Sequence, residues 1–486
     1  MRVFEVLNVA AMRGTFRVDF TAWSEGLSVE VGGRGVVSHV GSGLLRMLAD
    51  RVGLTGELSK ASARRGFVPV HDRGRVLTDL AVAIADGATT IGEIDTLRHQ
   101  SALFGSVASD TTVWRMLDES DPVRLGKIAR ARARARRQVW RLVRERHGRI
   151  PPARVAGRDL GAVTVIRLDA SIVLAHSEKQ QASGTFKGTF GFHPLTAWCD
   201  NTDESLVVKL RPGRAGANTA ADHIEVLDAA IAQIPAAARR NMLITCDGAG
   251  STHALVEHIT ALGARHGFQV HYSIGFDFDE RVRAAIGRLR ESDWAPALDA
   301  EGNPRIDAQV AEITGLLRHS TDADQLASWP ADMRLILRRE NPHPGAQLSL
   351  FEQHAGKRYQ VIATNTPTGQ IQFLEARHRT QARVEDRIRC GKDTGLSHLP
   401  SRVYAINQAW CVAASIACDL LAWLRLLALD GHLARAEPKT LRYRMLHTAG
   451  RIVRGQRRRH LKIGETWPWA TQLAAAFTTI TALKPP

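Results

Sequence analysis

The sequence has few of the residues that build disulfide-linked or zinc-bound scaffolds. Its five cysteines are odd in number and widely spaced, and none belongs to a CxxC pair. A disulfide framework and a structural zinc site are therefore not indicated. Neither a GxxxxGK[ST] motif nor a strand-to-helix GxGxxG motif occurs, so no nucleotide cofactor is expected. Because the first residues also lack the order of a secretory signal, we expect a cytoplasmic, nucleoid-associated protein with reduced thiols.

Long uncharged hydrophobic runs are also scarce. The most apolar stretch, residues 409–429, is about long enough to cross a bilayer, but it contains Asp419 and Arg425. A buried helix is the better interpretation, with Trp410 and Trp423 in the core, and no membrane partner is expected. With 44% hydrophobic and 23% charged residues over 486 positions, the chain is a folded protein of roughly three domains.

Acidic residues are too few to balance the basic ones, with 49 Asp and Glu against 65 Lys and Arg and a net charge of +16. The excess lies in two segments. Residues 121–150 contain eleven basic and two acidic residues, and residues 439–462 contain nine basic residues and no acid. One such segment is compatible with a solvated helix face, but two together predict a polyanionic partner. The candidate DNA-binding residues here are Arg130, Arg132, Arg134, Arg136, Arg137, Arg457, Arg458 and Arg459.

Within residues 1–155, hydrophobic periodicity predicts strand-like alternation at residues 3–20 and a mostly helical region after it. Residues 97–117 have the layout of a helix-turn-helix, in which Gly105 separates two apolar pieces and Ser109 or Asp110 caps the second. Together with the arginines that follow, this layout favours a DNA-end-binding region at the N-terminus.

From residue 163 the pattern changes to strands alternating with helices, which predicts an α/β fold with a mixed sheet and flanking helices. Strands are predicted at 163–168, 184–193, 205–210, 242–246 and 269–274, and later at 333–338 and 359–364. The proline-rich and charged residues between the fifth and last strands are interpreted as an inserted subdomain. The predicted divisions are 1–155, 156–278, 279–355, 356–400 and 401–486, the last helical and carrying the second basic segment.

Three acidic residues stand where this sheet would bring them together. Asp169 and Asp247 each end a predicted strand, and Glu385 lies on a charged helix, residues 377–392, that follows a third. Open sheets bind ligands at such strand ends. A few carboxylates can hold two Mg²⁺ or Mn²⁺ ions about 4 Å apart for phosphodiester chemistry. The alternative is that Asp169 and Asp247 are turn or capping residues.

The local sequences around these acids resemble a known family. The segments VIRLDAS, TFKGTFGFHPLTAWCDN, LITCDGAGS and YQVIATNTPTGQ, the last followed by ARVEDRIRCGK, resemble DDE transposases of bacterial insertion sequences. The resemblance is closest to the insertion-sequence thirteen-eighty family and runs from about residue 40 to the C-terminus. It implies an RNase H-like catalytic domain, an insert before the glutamate, and a homodimer that synapses two DNA ends. It also places the family's catalytic and metal-binding acids on Asp169, Asp247 and Glu385.

The helix around Glu385 matches the family's pattern in part. Related transposases carry tyrosine, arginine, glutamate and lysine at positions that correspond here to His378, Gln381, Glu385 and Lys392. Lys392 agrees with the pattern, whereas His378 and Gln381 depart from it. The family's phosphate contacts at those two positions are therefore not expected from these side chains.

Further cations are candidates for DNA contact near the acids. Glu385, Arg389 and Lys392 fall on one face of a helix, so that a metal ligand and two cations would address one DNA strand, unless this face is a salt-bridged surface. Lys187 and His193 lie on the strand predicted beside Asp169 and are further candidates, although a strand lysine is often simply solvated.

These observations predict a DNA transposase that cuts at the ends of an insertion sequence and transfers the 3′-hydroxyl into target DNA, with DNA as its partner. Two alternatives stay open at this point. One is a catalytically inactive DNA-binding regulator derived from a transposase, and the other is an RNase H-like nuclease without strand transfer. A glycosidase with paired carboxylates is remote, because it leaves both basic segments without a role.

Overall fold

A computed structural model describes residues 27–29, 31–320, 323–342, 353–354, 356–455 and 458–486. The strand-like pattern predicted at residues 3–20 and the candidate Arg457 lie outside the described residues. The α-helices are α1 Ser42–Arg51, α2 Leu54–Ser62, α3 Arg73–Asp86, α4 Asp95–Arg98, α5 Ser101–Phe104, α6 Asp110–Asp118, α7 Pro122–His147, α8 Ala220–Gln233, α9 His253–Gly263, α10 Glu280–Gly287, α11 Thr314–Arg318, α12 Ile371–Arg379, α13 Arg383–Gly391, α14 Tyr404–Ala428, α15 Pro438–Leu441 and α16 Ala470–Ala482. The strands are β1 Val36–Val37, β2 Arg154–Val155, β3 Arg158–Asp159, β4 Thr164–Ala170, β5 Val173–Leu174, β6 Ser183–Gly184, β7 Phe190–Phe192, β8 Leu195–Cys199, β9 Glu204–Lys209, β10 Asn241–Cys246, β11 Gln269–Phe276, β12 Ala295–Leu298, β13 Pro304–Glu312, β14 Arg334–Glu340, β15 Gln353–His354, β16 Lys357–Thr364, β17 Gly450–Gly455 and β18 Arg458–Ile463.

A large mixed sheet forms the centre of the α/β part, as the sequence predicts. Its strand order is β12-β13-β14-β16-β11-β10-β4-β8-β9, and β15 pairs with β16. The pairs β4–β10 and β10–β11 are parallel and the others are antiparallel. The first five residues of β4 are all buried, which is the pattern of an inner strand covered on both faces.

Alternation along β4 and β10 assigns their side chains to two faces of the sheet. Ile166, Leu168 and Ile244 pack in one core with residues of α8 and α9. Arg167 and Thr245 point the other way, where their side chains contact Thr380 and Gln381 between α12 and α13. Asp169 and Asp247 share the parity of Arg167 and Thr245, so both acids face the side of the sheet on which α13 lies.

The strand that pairs with β4 is not the one predicted. The prediction of one strand over residues 184–193 is wrong, because those residues form the short strands β6 and β7 in a separate sheet with β5. The antiparallel partner of β4 is β8, whose five residues are all buried and therefore show no alternation. The residues interpreted as an insert contribute β12, β13 and β14 to the main sheet itself.

The helices of the two chain ends share a second core, distinct from the core of the sheet. Buried residues of α1, α2, α3, α6, α7, α14 and α16 belong to it. The helix α14 is long and apolar enough to cross a membrane, yet 83% of its most apolar window is buried inside the protein. The prediction of a buried helix is confirmed, and Trp410 and Trp423 are fully buried on it.

The predicted helix-turn-helix at residues 97–117 does not form as two packed helices. The elements α4 and α5 are four residues each, and Gly105 stands after α5 with a φ of +71°, a conformation that continues no helix. The N-cap prediction for α6 is confirmed, because the Ser109 hydroxyl accepts a hydrogen bond from the Thr112 amide.

The prediction that the second basic segment is helical is also wrong for its larger part. The strands β17 and β18 form an antiparallel hairpin that pairs through β17 with β1. Ile452 pairs with Leu461 on one face and packs against the helical core, while Arg451 pairs with Lys462 on the opposite face. The alternation is partial, because the paired Arg454 and Arg459 fall on the same face as Ile452 and Leu461.

Candidate active site

Sheet register places the two aspartates side by side. The strands β4 and β10 are parallel, and Thr245 is paired with Arg167 at the end of their common ladder. Asp169 lies two residues after Arg167, and Asp247 lies two residues after Thr245. The sequence spacing of 78 between the two aspartates therefore equals the register offset of the two strands. Because neighbouring strands are about 4.8 Å apart, this register brings both carboxylates to one edge of the sheet.

The aspartates also have local roles. One carboxylate oxygen of Asp169 accepts a hydrogen bond of 2.8 Å from the Ala170 amide. One oxygen of Asp247 accepts a 3.1 Å bond from the Ala249 amide and caps the turn Gly248–Gly250. Each carboxylate keeps acceptor capacity beyond its local bond, so capping and metal binding are compatible at both positions.

Gln381 docks the glutamate helix on the two strands that carry the aspartates. Its side-chain amide donates to the Leu168 carbonyl at 2.8 Å, one residue before Asp169, and its carbonyl accepts from the Thr245 hydroxyl. Glu385 follows Gln381 by about one helical turn and therefore lies above the strand ends. Gln381, which departs from the family pattern, therefore connects β4 and β10 to the start of α13.

Asp169 interacts electrostatically with both of the other acids. Burial and the neighbouring charge of Asp247, with a further contribution from Glu385, raise the pKa of Asp169 to about 7, while Lys392 acts in the opposite direction. Asp169 is half-buried, and Asp247 and Glu385 are exposed to solvent. Carboxylate oxygens are ligands that hard divalent cations prefer, so the chemistry of these three residues fits such ions.

Two predicted cations lie beside the acids. Burial and the proximity of Lys187 lower the pKa of Lys392, and Asp169 opposes this shift. Lys392 therefore lies within electrostatic reach of both Asp169 and Lys187. Lys187 is exposed on the turn between β6 and β7. Lys392 is thus near Asp169, and Lys187 is near Lys392; contact of either lysine with DNA stays a prediction.

His193 is a neutral side chain near the same edge. It is buried, and its Nδ1 forms a 3.1 Å hydrogen bond with the Ala215 carbonyl. Burial lowers the pKa of His193, the bond to Ala215 and the charge of Asp247 raise it, and Arg211 lowers it further. With Nδ1 as the donor, Nε2 is an acceptor, so His193 offers no positive charge to DNA at neutral pH.

Two other residues of the glutamate helix region differ from the family's phosphate contacts. His378 Nδ1 lies 3.2 Å from the Ser273 hydroxyl, and burial together with Arg338 lowers the pKa of His378 to about 4. Arg389 forms ion pairs with Glu437 at 2.7 Å and Asp386 at 3.2 Å. The structure therefore shows the salt-bridged alternative for Arg389 and a neutral packing role for His378.

The sequence reasoning missed the polar network that supports this site. Besides its bond to Thr380, Arg167 pairs with Asp200 at 2.8 Å inside the protein. Arg167 and Thr245 are polar residues within otherwise apolar strands, and this is the signal that would have revealed them. A buried polar side chain requires a partner, so its presence in a strand predicts an interior network.

The first basic segment directs part of its charge inward. Arg132 and Arg136 of α7 are buried, and both pair with Asp419, at 2.8 and 2.6 Å, while Arg136 also pairs with Glu204 at 2.8 Å. The prediction that Arg132 and Arg136 contact DNA is wrong in this structure, because their charges are enclosed and neutralised. Their neighbours on the outer face of α7 are Arg130, Arg134 and Arg137, all exposed.

The outer arginines differ among themselves in their pairing. Arg134 pairs with Glu57 of α2. No ion pair joins Arg130 or Arg137 to an acid within the part of the chain that the structure describes. On the hairpin, Arg458 and Arg459 are both exposed, and Arg459 donates a hydrogen bond to the Ala102 carbonyl. Arg130, Arg137 and Arg458 are thus the candidates with the greatest freedom to bind phosphate.

A second cluster of possible ligands joins the hairpin to the helices. Nitrogen and oxygen atoms of His39, Asp86 and His447 lie within 4.8 Å of one another. The imidazoles are stacked with centroids 4.3 Å apart and planes 24° apart, and His39 Nδ1 lies 2.6 Å from Asp86. Nearly parallel stacked rings do not direct their in-plane lone pairs at one ion, so we interpret this cluster as a hydrogen-bonded clasp.

The chain matches a known protein family and is similar to a solved transposase structure. Residues 22–485 match the family model described as "Transposase DDE domain group 1". Among solved structures, the chain is similar to the piggyBac transposase in a cryo-EM synaptic complex with hairpin DNA. That similarity has a TM-score of 0.39 and 10% sequence identity, over 86% of this chain and 83% of the other. The search of curated proteins found no match.

Proposed function

The chain belongs to the DDE transposase family whose model spans residues 22–485, and we propose that it cuts DNA at the ends of an insertion sequence and joins the freed 3′-hydroxyl to target DNA. The observation that carries this proposal is the convergence of Asp169, Asp247 and Glu385 at one sheet edge. The proposal includes an RNase H-like catalytic domain and membership of the bacterial insertion-sequence thirteen-eighty group.

Asp169, Asp247 and Glu385 would hold two Mg²⁺ or Mn²⁺ ions. When bound, such ions would supply activation of an attacking oxygen and stabilisation of a leaving oxygen in phosphoryl transfer. The protein contributes the geometry: the β4–β10 register fixes the aspartates, and the Gln381 bridge fixes the height of Glu385 above them. Holding these groups in place before the substrate arrives is itself a large part of catalysis.

The cations around the acids bind and orient the DNA strand. Lys392 and Lys187 face the scissile region and neutralise phosphates on either side of the cut. Arg130 and Arg137 of α7 and the basic face of the hairpin contact the DNA backbone further away. Synapsis of two element ends brings two copies of the chain together, so we propose a homodimer in the synaptic complex, acting in the cytoplasm on nucleoid DNA.

The test is a cleavage assay on end-labelled DNA taken from the regions that flank the coding sequence, with Mg²⁺ present. Asp169→Asn, Asp247→Asn and Glu385→Gln are each expected to reduce cleavage about a hundredfold or more while DNA binding is kept. Asp386→Asn is the matched control, because Asp386 is the exposed neighbour of Glu385 and pairs with Arg389. Its cleavage is expected to stay within about twofold of the wild type.

The products separate the proposal from its alternatives. Joined products, in which a labelled 3′ end becomes part of a target plasmid, support transposition. Hydrolysis without joining would indicate a nuclease. Sequence-specific binding with no cleavage by the wild type would indicate a regulator. Retained cleavage in Asp169→Asn would remove that residue from the metal site.

A further inference from the structure

One buried arginine joins four segments of the chain beside the candidate active site. Arg167 of β4 is only 1% exposed, and its guanidinium donates two hydrogen bonds to the Asp200 carboxylate, at 2.9 and 2.8 Å. The same guanidinium donates to the Thr245 hydroxyl at 3.3 Å and to the Thr380 hydroxyl at 2.9 Å. These partners belong to the β8–β9 turn, to β10 and to the turn between α12 and α13. Arg167 therefore connects three other segments to β4, two residues before Asp169.

Arg167 and Gln381 together restrain the start of the glutamate helix α13. Gln381 alone would hold this helix at one residue, about which the helix could still pivot. The hydrogen bond from Arg167 to Thr380 adds an attachment at the neighbouring residue. The Thr245 hydroxyl links the two attachments, because it accepts from Arg167 and donates to Gln381. Two linked contacts fix both the position and the direction of the helix start, and Glu385 follows Gln381 by about one turn.

A pair of acids on the β8–β9 turn opposes rotation of α13 about its own axis. Asp200 lies 3.4 Å from Arg383 as well, and Asp203 of the same turn pairs with Arg387. Arg383 and Arg387 are four residues apart and share one face of the helix. Glu385 is two residues from each of them, about 200° around the axis, and therefore lies on the opposite face. The ion pairs of the arginine face thus fix the direction in which Glu385 points.

The chemistry of Arg167 suits alignment better than net stabilisation. A buried ion pair contributes little net stability, because desolvation offsets most of the attraction between its charges. A guanidinium, however, is a planar fork that binds a carboxylate through two hydrogen bonds in one orientation, which the ammonium of a lysine cannot do. Because Asp200 neutralises Arg167 at 2.8 Å, the contribution of Arg167 to the nearby acids is geometric.

We propose that Arg167 is a positioning residue, which holds Glu385 at the distance from Asp169 and Asp247 that a divalent cation requires. This inference rests on the proposed function and deepens it, because it names the buried group that sets the cation affinity of that site. Altering a residue that orients metal ligands from behind typically lowers metal affinity by about tenfold or more. We expect an effect of that size when Arg167 or its contact with Thr380 is changed.

The experiment titrates Mn²⁺ into the full-length protein without DNA and follows the free ion by electron paramagnetic resonance. Subtracting the same titration of Asp247→Asn isolates the ions bound at the carboxylates. Thr380→Val removes the hydroxyl that Arg167 contacts, and Arg167→Lys keeps the charge but loses the fork. Each variant is expected to raise the Mn²⁺ concentration at half-saturation about tenfold or more. Thr380→Ser keeps the hydroxyl and is expected to stay within about twofold of the wild type.

Two comparisons separate positioning from a general loss of structure. The Thr380 hydroxyl also donates to the Arg377 carbonyl at 2.7 Å, and Arg167→Lys leaves that bond in place. Thr164→Val is the matched control, because Thr164 lies at the other end of β4 and its buried hydroxyl donates to the Ala238 carbonyl at 3.0 Å. It is expected to lower stability in urea unfolding while leaving Mn²⁺ half-saturation unchanged.

Unchanged half-saturation in both Thr380→Val and Arg167→Lys would overturn the inference. An equal shift in Thr164→Val would overturn it too, because the effect would then be general loosening, and so would a wild type that binds no more Mn²⁺ than Asp247→Asn. Because the titration uses no DNA, its outcome is separate from that of the proposed function. Mn²⁺ binding that depends on Arg167, in a protein that cuts no flanking DNA, would support the positioning role and contradict the proposed function.

DNA cleavage provides a further readout that a merely structural role would not change. If Arg167 sets cation affinity, high Mn²⁺ concentrations should restore cleavage by Thr380→Val to within a few fold of the wild type. The same concentrations should not restore Glu385→Gln, which lacks a ligand. Cleavage by Thr380→Val that stays low at saturating Mn²⁺ would contradict a role through cation affinity.

Discussion

Residues 121–150 and residues 439–462 each carry a net charge of +9, yet they direct their arginines differently. The first segment forms the long helix α7, which encloses Arg132 and Arg136 in ion pairs with Glu204 and Asp419. The second contains the hairpin β17–β18, on which Arg451, Arg454, Arg458, Arg459 and Lys462 are all exposed. Equal charge in the sequence therefore gives unequal charge at the surface.

The difference follows from the two backbone periods. In α7, arginines stand at positions 130, 132, 134 and 136, and on a helix positions four apart share a face. Arg132 and Arg136 fall together on the face that packs against α14 and β9, where Asp419 and Ser205 accept their hydrogen bonds. In the hairpin, the period of two puts Ile452 and Leu461 on the face toward the helices, but the basic residues of the two strands occupy both faces and all of them stay exposed. The net charge of a segment is thus a poor measure of the charge that a partner can reach.

The hairpin also places like charges opposite one another. Arg451 is paired with Lys462, and Arg454 with Arg459. Directly opposed like charges destabilise a strand pair, so this arrangement costs stability in the free protein. A bound polyanion would remove that cost. We therefore interpret the hairpin as a surface whose positive charge a bound polyanion neutralises. The buried arginines of α7 differ, because carboxylates of the protein already neutralise them.

The largest expected effect on stability comes from removing a buried arginine of α7. Arg136→Ala leaves Glu204 and Asp419 buried without one of their cations, and we expect a loss of about 3–5 kcal/mol in the free energy of unfolding. The adjacent Arg137 is exposed, and Arg137→Ala is expected to change stability by less than about 0.5 kcal/mol. Urea unfolding of both variants measures the difference. A cost below about 1 kcal/mol for Arg136→Ala would contradict the assignment of Arg136 to an essential interior network.

The next effect concerns the exposed basic residues of the β17–β18 hairpin. The triple variant Arg451→Gln, Arg458→Gln, Lys462→Gln removes three charges from the hairpin, and we expect DNA affinity to fall with little change in stability. Each lost phosphate contact lowers the slope of log affinity against log salt by about 0.9, so the slope should decrease by roughly 2 to 3. Glutamine at Arg281, Arg283 and Arg288 on and just after α10 is the control, with the same loss of charge elsewhere. Equal slopes for the two triple variants would show that net charge alone governs binding.

Part of this architecture is predictable from the sequence, for clear physical reasons. The strands β4 and β10 are short apolar runs that end in aspartates, and parallel neighbours align such ends, so the approach of Asp169 to Asp247 follows from local patterns. The buried helix α14 follows from its length and apolarity, with Asp419 as the exception. Asp419 proves to be the acid that the α7 arginines need.

Other features depend on partners that are distant in the sequence. The burial of Arg136 depends on Glu204 and Asp419, and the role of Gln381 depends on Leu168 and Thr245, more than a hundred residues away. No local pattern reports such pairings. The strand β8 was missed because complete burial removes the alternation by which strands are recognised. The hairpin was misassigned because its apolar and basic residues alternate only in part, which leaves a weak strand pattern.

A smaller effect concerns the attachment of the hairpin to the helices. His447 precedes β17, and its partner Asp86 ends α3. The hydrogen bond that His447 donates to Asp86 raises the pKa of His447, against burial and the charge of Arg442, while His39 stacks on its ring. A raised pKa means that the stabilisation is complete below the ordinary histidine pKa near 6.5 and is lost as the pH rises through the folded value.

We therefore expect the melting temperature to fall as the pH rises from 6 to 9, by an amount that corresponds to about 1 kcal/mol or less because His447 is partly exposed. His447→Gln should flatten this dependence. His432→Gln, at an exposed turn, should leave the dependence unchanged. The buried pairs of Arg136 contain no histidine and should contribute nothing over this pH range. An unchanged pH profile in His447→Gln would show that the clasp does not stabilise the fold.

The smallest effect tests the comparison within one helix. Arg134 and Arg136 are two residues apart, and each pairs with an acid, but the pair of Arg134 with Glu57 is at the surface. If burial decides the value of these pairs, Arg134→Gln should cost no more than about 0.5 kcal/mol, and a double-mutant cycle with Glu57→Gln should give a coupling of similar size. The same variant leaves Glu57 paired with Lys60, so DNA binding should weaken only by the loss of one exposed arginine. A coupling above about 2 kcal/mol would show that pairing, rather than burial, distinguishes the arginines of α7, and the contrast with the hairpin would then need another cause.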